Sequence, residues 1–129
     1  MGKLDLSRPT DGELAILRVL WRRGPSTVRQ AHEILSRNRE IGYTTVLKLM
    51  QIMTEKGLAE RDESDRTHVY RARLTQEQTQ RQLLSDLLEK AFSGSASQLV
   101  MQALAAKPAS ANELAMIRRL LDELEGGKR

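Results

Sequence analysis

The sequence predicts a mainly α-helical protein that carries one small β-hairpin. In most of the chain, apolar residues recur at the spacing of an amphipathic helix. Hydrophobic residues make up 40% of the chain and aromatic residues only 3%, so the core must be built from aliphatic side chains and methionine. Only the stretch 58–74 changes to the shorter spacing of strands. The predicted order is therefore three helices, a hairpin and three further helices.

The first two helices are bounded by capping and breaking residues. The first is expected over 10–23, because Thr10 and Glu13 have the spacing of a capping box and Gly24-Pro25 follows. The second is expected over Ser26–Arg37, with its apolar residues on one side.

A third helix is expected over Thr44–Lys56, after a polar turn at Asn38–Tyr43. Gly57 follows the helix at a position suited to a left-handed C-cap. At about 100° per residue, one side of this helix is apolar and would pack on the first two helices. The residues on that side are Val46, Leu49, Met50 and Met53.

A β-hairpin is expected next. Leu58–Arg61 and His68–Leu74 have the character of two short strands, and the polar segment Asp62–Thr67 between them is rich in turn residues. Three helices followed by a hairpin is the element order of a winged helix-turn-helix. We therefore assign residues 1–74 to such a domain.

Residues 75–129 predict a helical arm with three amphipathic helices. A segment of this size rarely stabilises itself alone. Pairing of two copies would bury the apolar stripes, so we predict a dimerisation region; the alternative is an arm that folds back on its own domain. The predicted dimerisation residues are Leu83, Leu84, Leu87, Leu88, Leu99, Ile117 and Leu121.

The distribution of charge points to a polyanionic partner. The net charge is +4. Residues 1–74 hold 14 Lys and Arg against 10 Asp and Glu, whereas residues 75–129 hold 7 of each kind. The basic excess therefore lies wholly in the N-terminal part, where nucleic acid would bind.

Several classes of protein are disfavoured by what the sequence lacks. With no cysteine there is neither a disulfide nor a thiolate metal site, and we expect no cofactor and no bound metal. No apolar run approaches the roughly 18 residues of a membrane span, and the first residues lack the apolar region of a signal peptide. We therefore expect a cytoplasmic protein without membrane insertion. No nucleophile with its base and no Gly-rich phosphate loop is recognisable, so we expect no enzyme.

The polar side of the third helix carries groups suited to DNA bases. Lysine can bond to guanine, glutamine to adenine, and threonine or an aliphatic side chain can contact a thymine methyl group. The candidate residues are Thr44, Thr45, Leu47, Lys48 and Gln51. The alternative is a solvated helix face with no specific role. Tyr43 precedes this face and is a candidate for a phosphate or base contact.

The hairpin, over residues 61–71, supplies a second candidate DNA surface. Arg66 and His68 are near its tip, where a wing would lie along the sugar–phosphate backbone. His68 could instead be a metal ligand, but with 2 histidines and no cysteine a phosphate contact or a plain strand residue is favoured. The other histidine, His32, is interpreted as a surface residue of the second helix.

Five short segments, taken together, are typical of one family. They are Leu14–Trp21, Tyr43–Val46, Lys56–Leu58, His68–Tyr70 and Ser97–Val100. With these segments the chain resembles the penicillinase repressor (BlaI/MecI) family over nearly its whole length. The resemblance implies a dimeric repressor that binds a palindromic operator through its winged helix and blocks transcription of nearby genes.

The resemblance also bears on how repression would end. In the antibiotic-responsive branch of the family, a membrane sensor-protease system triggers cleavage between an Asn and a Phe in the C-terminal arm. The matching residues here are Gln102 and Ala103, which depart from that pattern. The copper-responsive CopY branch carries a C-terminal cysteine cluster, and this chain has no cysteine. The sequence therefore leaves the inducing signal open.

Two other functions stay open at this point. One is a winged-helix protein–protein interaction module that uses the third helix as its contact face, and the other is a small-molecule-sensing regulator. Loss of DNA affinity with rising salt would favour the repressor, whereas absence of DNA binding in low salt would favour the interaction module.

Overall fold

The computed structural model describes residues 8–127, which form two compact units. We call the residues up to Leu84 the N-terminal unit and those from Ser85 the C-terminal unit. The elements are α1 (Asp11–Arg23), α2 (Val28–Leu35), α3 (Tyr43–Lys56), β1 (Ala59–Asp62), β2 (Val69–Ala72), α4 (Gln76–Phe92), α5 (Ala96–Ala106) and α6 (Ala111–Gly126). This order confirms the predicted fold class. The two compact units divide inside α4, between Leu84 and Ser85. The domain boundary that the sequence predicts after Leu74 stays a prediction.

The first helix begins where its capping box predicts, but the second does not. Thr10 and Glu13 form both hydrogen bonds of a capping box at α1. The predicted start of the second helix at Ser26 is wrong, because Thr27 is the N-cap of α2 and Ser26 pairs with the hairpin. The Ser26 backbone N–H donates to the Tyr70 carbonyl, and the Tyr70 N–H donates to the Ser26 carbonyl, each at 2.8 Å.

The core of the N-terminal unit lies between α1, α2, α3 and the hairpin. Val46, Met50 and Met53 on α3 are fully buried, as the spacing predicts, and Leu49 is half-buried. Tyr70 of β2 closes the core from the hairpin side. The strands are antiparallel, with Ala59 opposite Ala72 and Asp62 opposite Val69. The hairpin is thus anchored at Ser26, in the segment between α1 and α2, and through Tyr70 in the core.

A buried ion pair fixes the end of α3 against the start of α1. Lys56 Nζ lies 2.6 Å from Glu13 Oε1, and the Glu13 residue is only 2% exposed. The same carboxylate accepts a hydrogen bond from the Thr10 backbone N–H, and Lys56 also donates to the Arg8 carbonyl. Because a buried charge is tolerated only when it is paired and hydrogen-bonded, this network holds α3 in one orientation.

The C-terminal unit has no buried core within the residues that the structure describes. No residue of α5 or α6 is buried, and Thr79 is the one buried residue of α4. The unit nevertheless has well-formed helix starts, because Ser110 and Glu113 form a complete capping box. Its helices are therefore defined locally, while their apolar side chains stay in contact with solvent.

Candidate nucleic-acid interface

One face of α3 is exposed and polar, and its polar side chains have no partner among the described residues. Thr44, Thr45, Lys48 and Gln51 are all exposed, and Leu47 beside them is half-buried. Among residues 8–127, none of the four polar side chains forms a hydrogen bond or an ion pair with another residue. Opposite them, the buried methionines and Val46 hold the helix against the core. The donors and acceptors of this face are therefore available to a partner.

The N-terminus of α3 has no side-chain cap. Its N-cap is Gly42, which forms no side-chain hydrogen bond, whereas α1, α2 and α6 each begin with a full capping box. The first backbone N–H groups of a helix point along its axis and suit an anion such as phosphate. The C-terminus is closed by Gly57 at φ 83°, the left-handed conformation that the sequence predicts.

His32 of α2 supports the start of α3. The interpretation of His32 as a plain surface residue is wrong, because it is half-buried and its Nε2 lies 2.9 Å from the Ile41 carbonyl oxygen. A carbonyl oxygen only accepts, so Nε2 carries the proton in this hydrogen bond. The His32 ring also meets the Tyr43 ring edge-on, with centroids 5.9 Å apart. His32 therefore fixes both the turn before α3 and the aromatic side chain at its start.

A groove of about 340 Å³ lies between the start of α2, the start of α3 and the hairpin tip. It brings together four of the sequence-predicted residues: Tyr43, Leu47, Arg66 and His68. Tyr43 is 46% exposed and forms part of the wall. The groove is not lined by Thr44, Thr45, Lys48 or Gln51, which lie along the exposed face of α3. The candidate residues thus form two neighbouring surfaces, a helix face and a groove.

The hairpin arginines are not equivalent. Arg61 Nε lies 2.6 Å from Glu63, and an Arg71 guanidinium nitrogen lies 2.7 Å from Glu60. Hydrogen bonds with Tyr70 and then Glu63 raise the pKa of the Arg61 guanidinium above its usual value. Arg66, at the tip, has no ion pair with any carboxylate of residues 8–127. It is therefore the hairpin arginine best able to meet an external anion.

The chain is similar to known proteins of one family over most of its length. Residues 9–123 match the family described as the penicillinase repressor. The chain belongs to this family. The transcriptional regulators BlaI of Mycobacterium tuberculosis strains CDC 1551 / Oshkosh and ATCC 25618 / H37Rv are each 35% identical to it over 123 residues, which is 95% of this chain and 88% of the relative.

Membership makes the protein a transcriptional repressor with a DNA-binding winged helix, and not an enzyme. Within residues 8–127, no helix is both long enough and apolar enough to span a bilayer.

Sequence reasoning missed two residues of this repressor's groove. Thr27 and Arg29, at the start of α2, line it beside Arg66 and His68. The available signal was the capping pair Thr27 and Gln30, which marks the true start of α2 and so the end that Arg29 occupies. His32 gave no comparable signal, because its role depends on the position of Ile41 in the folded chain.

Proposed function

We propose that the repressor acts as a homodimer on a palindromic operator, with the recognition helix 44–56 in the major groove and the wing 61–71 on the DNA backbone. The observation that carries the proposal is the exposed polar face of α3, whose side chains have no internal partners among the described residues. An ordinary surface helix typically carries Glu and Lys side chains that form ion pairs with each other.

Base reading is proposed for the middle of that face. Lys48 and Gln51 are one helical turn apart, and both are exposed. They would bond to guanine and adenine edges, while the methyl groups of Thr44, Thr45 and Leu47 would contact thymine. The uncapped start of α3 would receive a phosphate, which sets the depth of the helix in the groove.

Backbone binding is proposed for the groove next to α3. Arg66 and His68 come from the wing, Tyr43 from α3 and Arg29 from α2. Phosphate contacts from three elements would fix the orientation of the domain on the duplex without reading its sequence. Arg29 joins the earlier candidates because its side chain shares this groove with Arg66.

Homodimerisation is proposed for residues 75–129. Apolar side chains along this segment are open to solvent, with Leu121 54% and Met101 70% exposed. Exposed apolar surface of this extent is typical of a protein interface. Of the proposed dimerisation residues, Leu84, Leu87 and Leu121 are exposed, and Leu83, Leu88, Leu99 and Ile117 are half-buried. A second copy would cover both groups.

The proposal includes the cytoplasm as the site of action and a membrane sensor-protease system as the partner that ends repression. Gln102 and Ala103 stand at the family's cleavage site, and both are exposed inside α5. Mass spectrometry of the repressor from antibiotic-treated cells tests this partner. A fragment ending at Gln102 supports cleavage at this bond, whereas an intact chain removes the protease from the proposal.

Two experiments test the main proposal. Bound sequences are selected from a random duplex library, and the complex with the selected DNA is then analysed by sedimentation. We expect enrichment of two inverted half-sites separated by about one or two helical turns, bound by two chains. Enrichment of a single half-site bound by one chain would contradict the homodimer. Absence of any enrichment, together with no loss of affinity at higher salt, would contradict DNA recognition by α3.

A further inference from the structure

A second basic surface lies in the N-terminal unit, in a cleft between α1 and the end of α2. The cleft has a volume of about 210 Å³. It is lined by Arg18, Arg22, Arg23 and Arg39 around an apolar floor that includes Val19 and Ile34. No residue of α3 or of the hairpin lines it. The cleft is therefore separate from the surfaces proposed to bind the operator.

The arginines of this cleft have no ion-pair partner in the part of the chain that the structure describes. Arg18, Arg22 and Arg39 are exposed, and within residues 8–127 none of them forms an ion pair. Arg23 donates to the Pro25 carbonyl at 2.8 Å and to Ser26 Oγ at 3.1 Å, so the fourth guanidinium is held in place.

The arginines on the hairpin strands differ from those of the cleft, because Arg61 and Arg71 each form an ion pair with a glutamate. Like charges that lie close together repel, and no carboxylate lines the cleft to reduce the repulsion. An anionic partner would reduce this repulsion.

The floor of the cleft indicates which anion fits. Val19 is buried, Ile34 is half-buried, and no aromatic ring lines the cleft. Exposed nucleic-acid bases bind best to aromatic rings, and a phosphate backbone would leave the aliphatic floor in water. A carboxylate matches the planar guanidinium group in a bidentate pair, and an aliphatic side chain beside it would cover the floor. A ligand that carries both carboxylate and aliphatic groups would therefore fit the arginines and the floor together.

We propose that this cleft binds a segment of a partner protein that carries acidic and aliphatic side chains. The acidic groups pair with Arg18, Arg22 and Arg39, and an aliphatic side chain packs on Val19 and Ile34. Because the cleft shares no residue with the α3 face or its groove, the partner and DNA bind to the repressor at the same time. The docked segment gives the repressor a protein contact that is independent of operator sequence.

Fluorescence anisotropy of the full-length chain at low salt tests this, with a labelled synthetic peptide of interspersed Glu and Leu as the probe. We expect binding that weakens about tenfold or more when Gln replaces every Glu in the peptide. The double variant Arg18→Glu, Arg22→Glu should bind the acidic peptide more weakly than the wild-type chain does, by a similar factor. Saturating duplex DNA should leave the peptide bound.

Arg18→Glu alone is compared with Arg37→Glu, because each reverses one positive charge. Arg37→Glu is the matched control, since Arg37 is exposed near the cleft but outside its lining. It should retain wild-type affinity for the peptide. Thermal melting checks that each variant is folded. If the variant with Glu at both positions is not folded, the double variant Arg18→Gln, Arg22→Gln is used instead.

Three results overturn the proposal: no binding of the acidic peptide to the wild-type chain, an equal loss in Arg37→Glu, or displacement of the peptide by DNA. Displacement would identify nucleic acid as the ligand of these arginines.

Discussion

The N-terminal and C-terminal units differ in where their apolar side chains go. In the N-terminal unit, Ile16, Val46 and Met50 are fully buried in one cluster with the hairpin. In the C-terminal unit no described residue is buried, and Leu121 and Leu124 are more than half exposed. The first unit can therefore be stable by itself, while the second gains hydrophobic stabilisation only when another surface covers it. DNA reading and assembly should accordingly respond to different substitutions.

The largest expected effect tests whether the N-terminal unit depends on its own buried network. Glu13→Ala should lower the free energy of unfolding by about 3 kcal/mol, because the Lys56 ammonium group loses its carboxylate partner and the Thr10 N–H loses its acceptor. Urea unfolding followed by circular dichroism measures this. The control Glu55→Ala removes an exposed carboxylate from α3 and should change the unfolding free energy by less than about 0.5 kcal/mol. Equal effects of the two variants would show that the ion pair contributes nothing specific.

The next effect tests the C-terminal unit as an assembly surface. Leu121→Asp should yield a folded monomer whose operator affinity is about 100-fold weaker, because two half-sites are no longer bound by one particle. Sedimentation and operator titration measure the two quantities. The control Asn112→Asp places the same carboxylate at an exposed polar position of α6 and should leave both unchanged. A wild-type chain that is already monomeric at micromolar concentration would refute the dimer.

A smaller effect is expected for base reading. Lys48→Ala and Gln51→Ala should each weaken binding to the selected operator by about 2 kcal/mol and leave non-specific DNA affinity almost unchanged. Neither substitution should alter thermal stability or assembly, because both side chains are exposed and have no hydrogen-bond or ion-pair partner among residues 8–127. Gln80→Ala, at an exposed residue of α4, is the control. Unchanged operator affinity of both α3 variants would refute their assignment to base reading.

The smallest expected effect tests whether positive charges of the N-terminal unit, and not those of the C-terminal unit, contact DNA phosphate. Arg66→Ala should reduce the slope of affinity against salt by about one, equally for all DNA sequences, because a phosphate contact carries no base information. Lys107→Ala removes one positive charge from the C-terminal unit and should leave the slope unchanged. A change confined to one base position in Arg66→Ala would contradict a phosphate contact.

Much of the fold follows from local signals in the sequence. The capping box at Thr10 and the left-handed Gly57 mark the start of α1 and the end of α3, since both depend on residues close in the chain. The buried side of α3 follows from its spacing for the same reason. The candidate base-reading residues follow from the polar side of α3, and all of them are exposed except the half-buried Leu47. Their role in binding stays a prediction.

The amino-acid sequence by itself determined the order of the elements, the apolar stripes and the side of α3 that is polar, because these depend on short-range periodicity and capping. Only the tertiary structure decided that Ser26 pairs with Tyr70, that His32 holds Ile41 and that Arg29 shares a groove with Arg66. The Glu13–Lys56 pair joins residues 43 positions apart. Such contacts have no local signature, because they form only when packing of the core brings distant segments within hydrogen-bond distance.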